Sequence, residues 1–175
     1  MTLSDYSSIA SLVSSAAVFV SLVFVGLQIL QNTRAIRAQI HQNITDGWIG
    51  VCAIIADHSR AFAAGVASDE TAFASMSDSD KTVYMSAIFS FFKHYENMYL
   101  QNREGFIRED DWAAWVSHMF MYWRMPGVQL WWKTRADAFA PEFRRFIETS
   151  SPSSMPTMID VFGHRPVGTL AERVD

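Results

Sequence analysis

The residues of this sequence that could do chemistry are its histidines and carboxylates, and their spacing decides whether they can share a metal ion. A helical di-iron site uses Glu-x-x-His pairs, whose two side chains lie on one helix face. The nearest approach is His94-Tyr95-Glu96, and a spacing of two residues places His94 and Glu96 on different faces. A lone histidine in an aromatic setting could still ligate a haem or pigment. We predict no metal and no cofactor, with core or surface roles for His41, His58, His94, His118 and His164.

Signatures of other enzymes are missing from the sequence, which has no G-x-S-x-G elbow, no P-loop and no G-x-G-x-x-G loop. The acidic residues Glu104, Glu109, Asp110 and Asp111 are typical of a helix start, where carboxylates complement the helix dipole. The single cysteine, Cys52, excludes an internal disulfide and a multi-thiolate metal site, and we interpret it as a small core residue. We therefore predict a protein that is not an enzyme.

The composition bounds the architecture and the class of partner. A chain of 175 residues allows one modest domain plus an anchor or a tail. Charged residues make up 18% of it, below the quarter that is typical of soluble domains, while half of the residues are hydrophobic. The net charge of −4 argues against a general nucleic-acid binder. Lipid or a partner protein is expected to cover part of the chain.

A long uncharged segment lies near the N-terminus, between Tyr6 and Thr33. A helix needs roughly 20 apolar residues to cross a hydrocarbon core of about 30 Å. We predict a transmembrane anchor over residues 1–33, with the span at about 8–30. A cleaved signal peptide fits less well, because Asp5 replaces the usual basic start and no A-x-A site follows. Arg34 and Arg37 follow the span, so the positive-inside rule places the remainder in the cytoplasm and the N-terminus outside.

Small residues occupy one face of the predicted span. Such residues let helix backbones approach closely in lipid, and their hydroxyls can bond across the contact. The alternative is that each serine bonds back to a carbonyl of its own helix. We predict an interface with the transmembrane helices of a partner complex at Ser7, Ser11, Ser14, Ser15 and Ser21.

Beyond the span, "QILQNTRAIR" (residues 28–37) leaves the apolar segment without a Gly or Pro. Apolar residues then recur at helical spacing, which predicts one helix from the span to about Ala64, and "GVASDETAFASMSD" (residues 65–78) is interpreted as a loop. Ser77 and Asp80 resemble a capping box, Gly105 predicts a helix end, Pro126-Gly127 a break, and Pro141 a last helix start. The predicted fold is all-α, with a single transmembrane helix continuing into a small antiparallel bundle over residues 34–148.

Aromatic residues are abundant, and part of them is predicted to face lipid or a partner. Trp131 and Trp132 are adjacent, so on a helix they point about 100° apart and are hard to bury on one face. Residues 149–175 form a predicted extended or disordered tail, in which Ile159 and Phe162 belong to an apolar island that could instead dock on a partner. Trp131, Trp132, Ile159 and Phe162 are therefore candidate interface residues.

Three stretches resemble a group of uncharacterised bacterial proteins that have an N-terminal membrane helix and a small helical domain. They are "LQNTRAIRAQ" after the span, "YENMYLQNREGFI" at 95–107, and "WW" followed by "FAPEFRRFIE" at 139–148. The resemblance implies a bacterial inner-membrane protein with a single span and carries over no catalytic residue. Our leading hypothesis is an accessory or structural subunit of a bacterial membrane complex. The alternative is a membrane-anchored sensor, effector or small-ligand-binding protein.

Overall fold

The computed structural model describes the backbone of residues 3–150 and the side chains of residues 11–150. Within that part of the chain the regular elements are helices and no strand occurs, which confirms the all-α prediction. A short 3-10 turn, Ala136–Ala138, precedes the last helix. The helices are α1 (Leu3–Asp57), α2 (Ser59–Ala67), α3 (Glu70–Ser75), α4 (Asp78–Arg103), α5 (Glu109–Trp123), α6 (Pro126–Arg135) and α7 (Pro141–Thr149).

The helix α1 continues through residues 28–37 as predicted, but it ends earlier than expected. It stops at Asp57, and α2 begins at Ser59 instead of continuing the same helix to Ala64. His58 separates them, since its backbone (φ −123°, ψ 31°) lies outside the helical region. Ile55 and Phe62 are seven residues apart, close to two helical turns, so the apolar spacing alone does not reveal the break.

The predicted loop at 65–78 contains a helix of its own. Asp69 is the N-cap of α3, and its carboxylate accepts a hydrogen bond of 2.8 Å from the backbone N–H of Ala72. The loop prediction is therefore wrong for residues 70–75. The helix α3 has six residues and none of them is buried, so it lacks the apolar stripe from which longer helices are recognised.

The chain divides into two compact units, residues 1–42 and residues 43–175. In the first unit, every side chain described between residues 11 and 39 is exposed. In the second, the first buried residue is Ile44, followed along the same helix by the half-buried Trp48 and the buried Val51. The second compact unit thus begins at Asn43, and the predicted boundary at Arg34 between membrane anchor and cytoplasmic part stays a prediction.

The helix α4 is the centre of the second unit. Ser77 caps it by accepting a hydrogen bond of 3.1 Å from the backbone N–H of Asp80, as predicted. It ends at Arg103, and Gly105 follows with φ 74°, a left-handed conformation that glycine adopts without steric cost. Six large side chains of α4 are fully buried, and each contributes roughly 1.5–3 kcal/mol; they are Tyr84, Ile88, Phe91, Phe92, Tyr95 and Met98.

Two glycines allow α2, α4 and α6 to meet closely. A Cβ on Gly65 would lie 2.2 Å from the ring of Tyr84, and a Cβ on Gly127 would lie 1.8 Å from the carbonyl oxygen of Gly65. Neither distance is compatible with a side chain larger than hydrogen. Gly127 therefore does more than break the preceding helix, because its missing side chain is what brings α6 against α2.

Candidate functional site

The apolar part of α1 is the first candidate site. By length and composition it is the one helix among the described residues that could cross a membrane, a property that a signal sequence shares. None of its most apolar stretch is buried by the rest of the chain. Leu12, Phe19 and Leu22 are 72%, 68% and 65% exposed. This surface needs lipid or another protein to cover it, because exposed apolar area of this extent is unfavourable in water.

The serines of this helix are exposed and bond to their own backbone. The hydroxyl of Ser15 donates to the carbonyl of Ser11, and that of Ser21 donates to the carbonyl of Ala17, each at 2.8 Å. Ser15 and Ser21 therefore bond to carbonyl groups of their own helix. Their side chains are still small enough for another helix to pack closely against this face. Ser11 and Ser14 are exposed as well, and the side chain of Ser7 lies outside the described residues. The partner interface stays a prediction.

Two arginines lie just after the apolar segment. Arg34 and Arg37 are exposed, and between them and the apolar residues the hydroxyl of Thr33 donates to the carbonyl of Ile29 at 2.9 Å. A threonine bonded in this way satisfies its own polar group at the edge of an apolar segment. The positions of both arginines fit the topology predicted from the sequence and leave the orientation itself a prediction.

Inside the second unit, histidines and aromatic rings gather around Trp48 of α1. Its ring lies 5.1 Å from His118 and 5.4 Å from Trp115 of α5, and 5.8 Å from His94 of α4. The hydroxyl of Tyr95 lies 2.6 Å from Nδ1 of His118. Burial lowers the pKa of both His94 and His118. The cluster therefore holds two imidazoles that are neutral near pH 7, packed among rings.

One atom of this cluster lacks a partner. Nε2 of His94 is buried and makes no hydrogen bond to any residue that the structure describes. No group of three or more His, Cys, Asp or Glu side chains within residues 3–150 is placed to hold a metal ion. Both histidines are half-buried and packed among aromatic rings, where the sequence predicted a core or a surface role.

Trp131 and Trp132 correct the interface prediction, because both are buried, at 3% and 5% exposure. Both contact Phe92 of α4 and Phe139, and each is covered in a different geometry. Trp131 stacks on Phe92 of α4 at 5.5 Å, whereas Trp132 meets Trp123 of α5 edge-on at 5.3 Å. The indole N–H of Trp132 also donates to Glu148 of α7 at 3.1 Å. Adjacent tryptophans can be buried here because α6 is covered on more than one side. Ile159 and Phe162 lie outside the described residues.

A buried carboxylate joins α4 to the start of α7. Glu96 is 8% exposed and accepts hydrogen bonds from the backbone N–H of Ala140 at 2.5 Å and from Lys93 at 2.6 Å. Lys93 also donates to the carbonyl of Ala138 at 2.7 Å and lies 4.5 Å from the centre of the Phe139 ring. Glu96 therefore ties the centre of α4 to the residues that precede α7.

Cys52 is exposed, so its interpretation as a core residue is wrong. The buried stripe of this helix runs through Ile44, Trp48, Val51 and Ile55, at spacings of four, three and four residues. Cys52 follows Val51 directly and is rotated about 100° away from it. A small thiol at the edge of a stripe cannot be assigned to the core by sequence spacing alone.

A polar groove between α4 and α7 was not anticipated. Its volume is about 400 Å³, and Arg103 and Glu142 form an ion pair in its wall. Both side chains are about half exposed, at 49% and 55%. A pair so accessible to water contributes little to stability. The groove is lined by Tyr99, Arg103, Glu142, Arg145, Phe146 and Thr149.

No known family model, no curated protein and no solved structure matches the chain at a significant level.

Proposed function

We propose that this chain is a non-enzymatic accessory subunit of a bacterial membrane protein complex, anchored by α1 with its helical domain on the cytoplasmic face. The observation that carries the proposal is the exposed apolar surface of α1, from which Leu12, Phe19 and Leu22 project. The domain, in contrast, buries its own aromatic residues, including Phe91 and Trp131. The surface that needs a partner is thus concentrated on the anchor.

The exposed apolar surface of α1 is unfavourable in water. Removal of apolar surface from water stabilises by about 25 cal/mol per Å². A segment whose side chains are all exposed gains that free energy only when lipid or other helices cover it. The serine face supports protein helices as part of the cover, since small residues permit close helix contact and lipid contact does not require them.

The orientation follows from the two arginines. Arg34 and Arg37 are the basic residues nearest to the apolar segment on its C-terminal side. Cytoplasmic loops carry an excess of such residues. The domain from Asn43 onward is accordingly proposed to face the cytoplasm.

The test is native sizing of the chain after extraction of bacterial membranes with a mild detergent. The wild type is expected in the membrane fraction and in a particle larger than its monomer. The double variant Ser14→Leu with Ser21→Leu is expected to insert but to leave that particle, because leucine prevents close helix contact. Ala16→Leu with Val23→Leu, about 160° around the helix from Ser14 and Ser21, is the matched control and is expected to remain in it.

Two results would contradict the proposal. If the wild-type chain is soluble without detergent, α1 is not a membrane anchor. If the wild-type chain is a monomer in mild detergent and copurifies with nothing, it is not an accessory subunit.

A further inference from the structure

The small helix α3 covers one side of a cavity of about 270 Å³ in the second unit. The other walls belong to α4 and α6. Most of the lining side chains are apolar, and the lining consists of Glu70, Phe73, Ala74, Met85, Leu130, Trp131 and Thr134. The sequence does not predict this cavity, because residues 65–78 have the composition of a loop.

Among the described residues, two buried hydrogen-bond donors of the second unit have no acceptor, and one of them belongs to a residue that lines the cavity. Nε1 of Trp131, a lining residue, makes no hydrogen bond within the part of the chain that the structure describes. The same holds for the hydroxyl of Tyr84, whose ring lies 6.0 Å from that of the lining residue Phe73. Trp131 is 3% exposed and Tyr84 is fully buried. Buried indole N–H and phenol O–H groups normally have a partner, so an acceptor is missing from this region.

The size and charge of the cavity restrict the ligand class. An apolar cavity of about 150 Å³ accommodates benzene, so 270 Å³ admits a bicyclic molecule of about ten non-hydrogen atoms. The carboxylate of Glu70 in the wall disfavours an anion. The unpartnered donors favour a hydrogen-bond acceptor such as a carbonyl oxygen. We propose that this cavity binds a small, neutral, mostly apolar molecule whose one acceptor pairs with the indole N–H of Trp131.

The helix α3 provides a route for the ligand. None of its residues is buried, and its ends are held by the Asp69 cap and by Lys81, which donates to the carbonyl of Ala74 at 2.9 Å. An element with so few buried contacts opens at a lower free energy than the core around it. The ligand can therefore enter without unfolding of α4 or α6.

The experiment is a titration of the full chain, in mild detergent, followed by the ¹H–¹⁵N signals of the indole groups. The probe is 1-indanone, a bicyclic ketone, and indane is its counterpart without the carbonyl. 1-Indanone is expected to shift the Trp131 indole signal saturably, and indane is expected to bind at least tenfold more weakly. Trp131→Phe identifies the signal among the six tryptophans.

Two variants of α3 test the location. Ala74→Phe places a ring at the cavity wall and is expected to abolish the saturable shift. Ala72→Phe, which lies on the same helix but does not line the cavity, is the matched control and is expected to retain it. Far-UV circular dichroism confirms that both variants are folded. An absent shift, an equal response to indane, or an unchanged response in Ala74→Phe would each overturn the proposal.

Discussion

The hydroxyl of Tyr95 lies 2.6 Å from Nδ1 of His118, which links α4 to α5 inside the ring cluster around Trp48. Burial raises the pKa of the Tyr95 phenol above its usual value and lowers the pKa of the His118 imidazole. Both groups are therefore neutral near pH 7. A neutral phenol and a neutral imidazole share a hydrogen bond whose direction is set by the His118 tautomer: Tyr95 donates when Nδ1 is unprotonated and accepts when Nδ1 carries the proton.

The first prediction is a loss of stability in mild acid. His94 and His118 have lowered pKa values in the folded chain, whereas in the unfolded chain they titrate near 6.5. Below pH 6.5 the unfolded state binds protons that the folded state does not bind. The free energy of unfolding therefore decreases as the pH is lowered. The slope is at most about 1.4 kcal/mol per pH unit for each histidine. Urea unfolding at pH 7.5 and 5.5, followed by near-UV circular dichroism, measures it.

The control for this prediction uses histidines in different surroundings. His94→Gln with His118→Gln removes both half-buried imidazoles and is expected to flatten the acid slope. His58→Gln, at an exposed position outside the ring cluster, is the matched control for the substitution itself. Equal slopes in all three proteins would contradict the assignment.

The second prediction concerns the glycine contact between α2 and α6. Gly127→Ala places a methyl group against the backbone of Gly65, where side-chain rotation cannot relieve the clash. We expect a loss of about 1–3 kcal/mol or more in the free energy of unfolding. Gly50→Ala is the matched control, since a Cβ there meets nothing within 4 Å. Gly50→Ala is expected to stabilise the helix by up to about 1 kcal/mol. Thermal unfolding measures both variants, and a Gly127→Ala variant as stable as Gly50→Ala would contradict the close contact between α2 and α6.

The third prediction concerns the buried carboxylate of Glu96. Glu96→Ala leaves the backbone N–H of Ala140 without its acceptor, at a cost of about 1–3 kcal/mol. Glu96→Gln retains an acceptor oxygen and is expected to cost less. Hydrogen exchange should show faster exchange of the α7 amides in the alanine variant. Glu104→Ala, at an exposed position, is expected to change stability by less than about 0.5 kcal/mol, and an equal effect at both sites would contradict this role of Glu96.

The fourth prediction uses Cys52 as a reporter of topology. It is exposed and is the only cysteine of the sequence. A membrane-impermeant maleimide is expected to label it in permeabilised spheroplasts and not in intact ones. Ser4→Cys in a Cys52→Ser background is expected to show the reverse. Labelling of Cys52 in intact spheroplasts would invert the proposed orientation.

The parts of the fold that the sequence predicts well depend on local signals. The cap at Ser77, the helix end before Gly105, the break at Pro126-Gly127 and the helix start at Pro141 each follow from interactions within a few residues. The apolar residues of α4 also predict its buried face, because such a face requires apolar residues at helical spacing. The antiparallel order of the bundle stays a prediction.

The parts that were missed depend on contacts distant in sequence. The burial of Trp131 and Trp132 requires α4 on one side and α5 and α7 on another, which no local spacing reveals. The cavity beneath α3 arises from residues of three helices. The short helix α3 itself has a local cap at Asp69 but no apolar stripe, so composition alone predicts a loop there.

The contact between Gly65 and Gly127 has a consequence for synthesis. A ribosome adds about 5–20 residues per second, so Gly127 emerges roughly 3 to 12 s after Gly65. Throughout that interval the apolar segment of α1 is already outside the ribosome, while α6 does not yet exist to close the core. With the anchor proposed above, insertion precedes completion of the domain. Each nascent chain then folds its aromatic core while already tethered to the membrane.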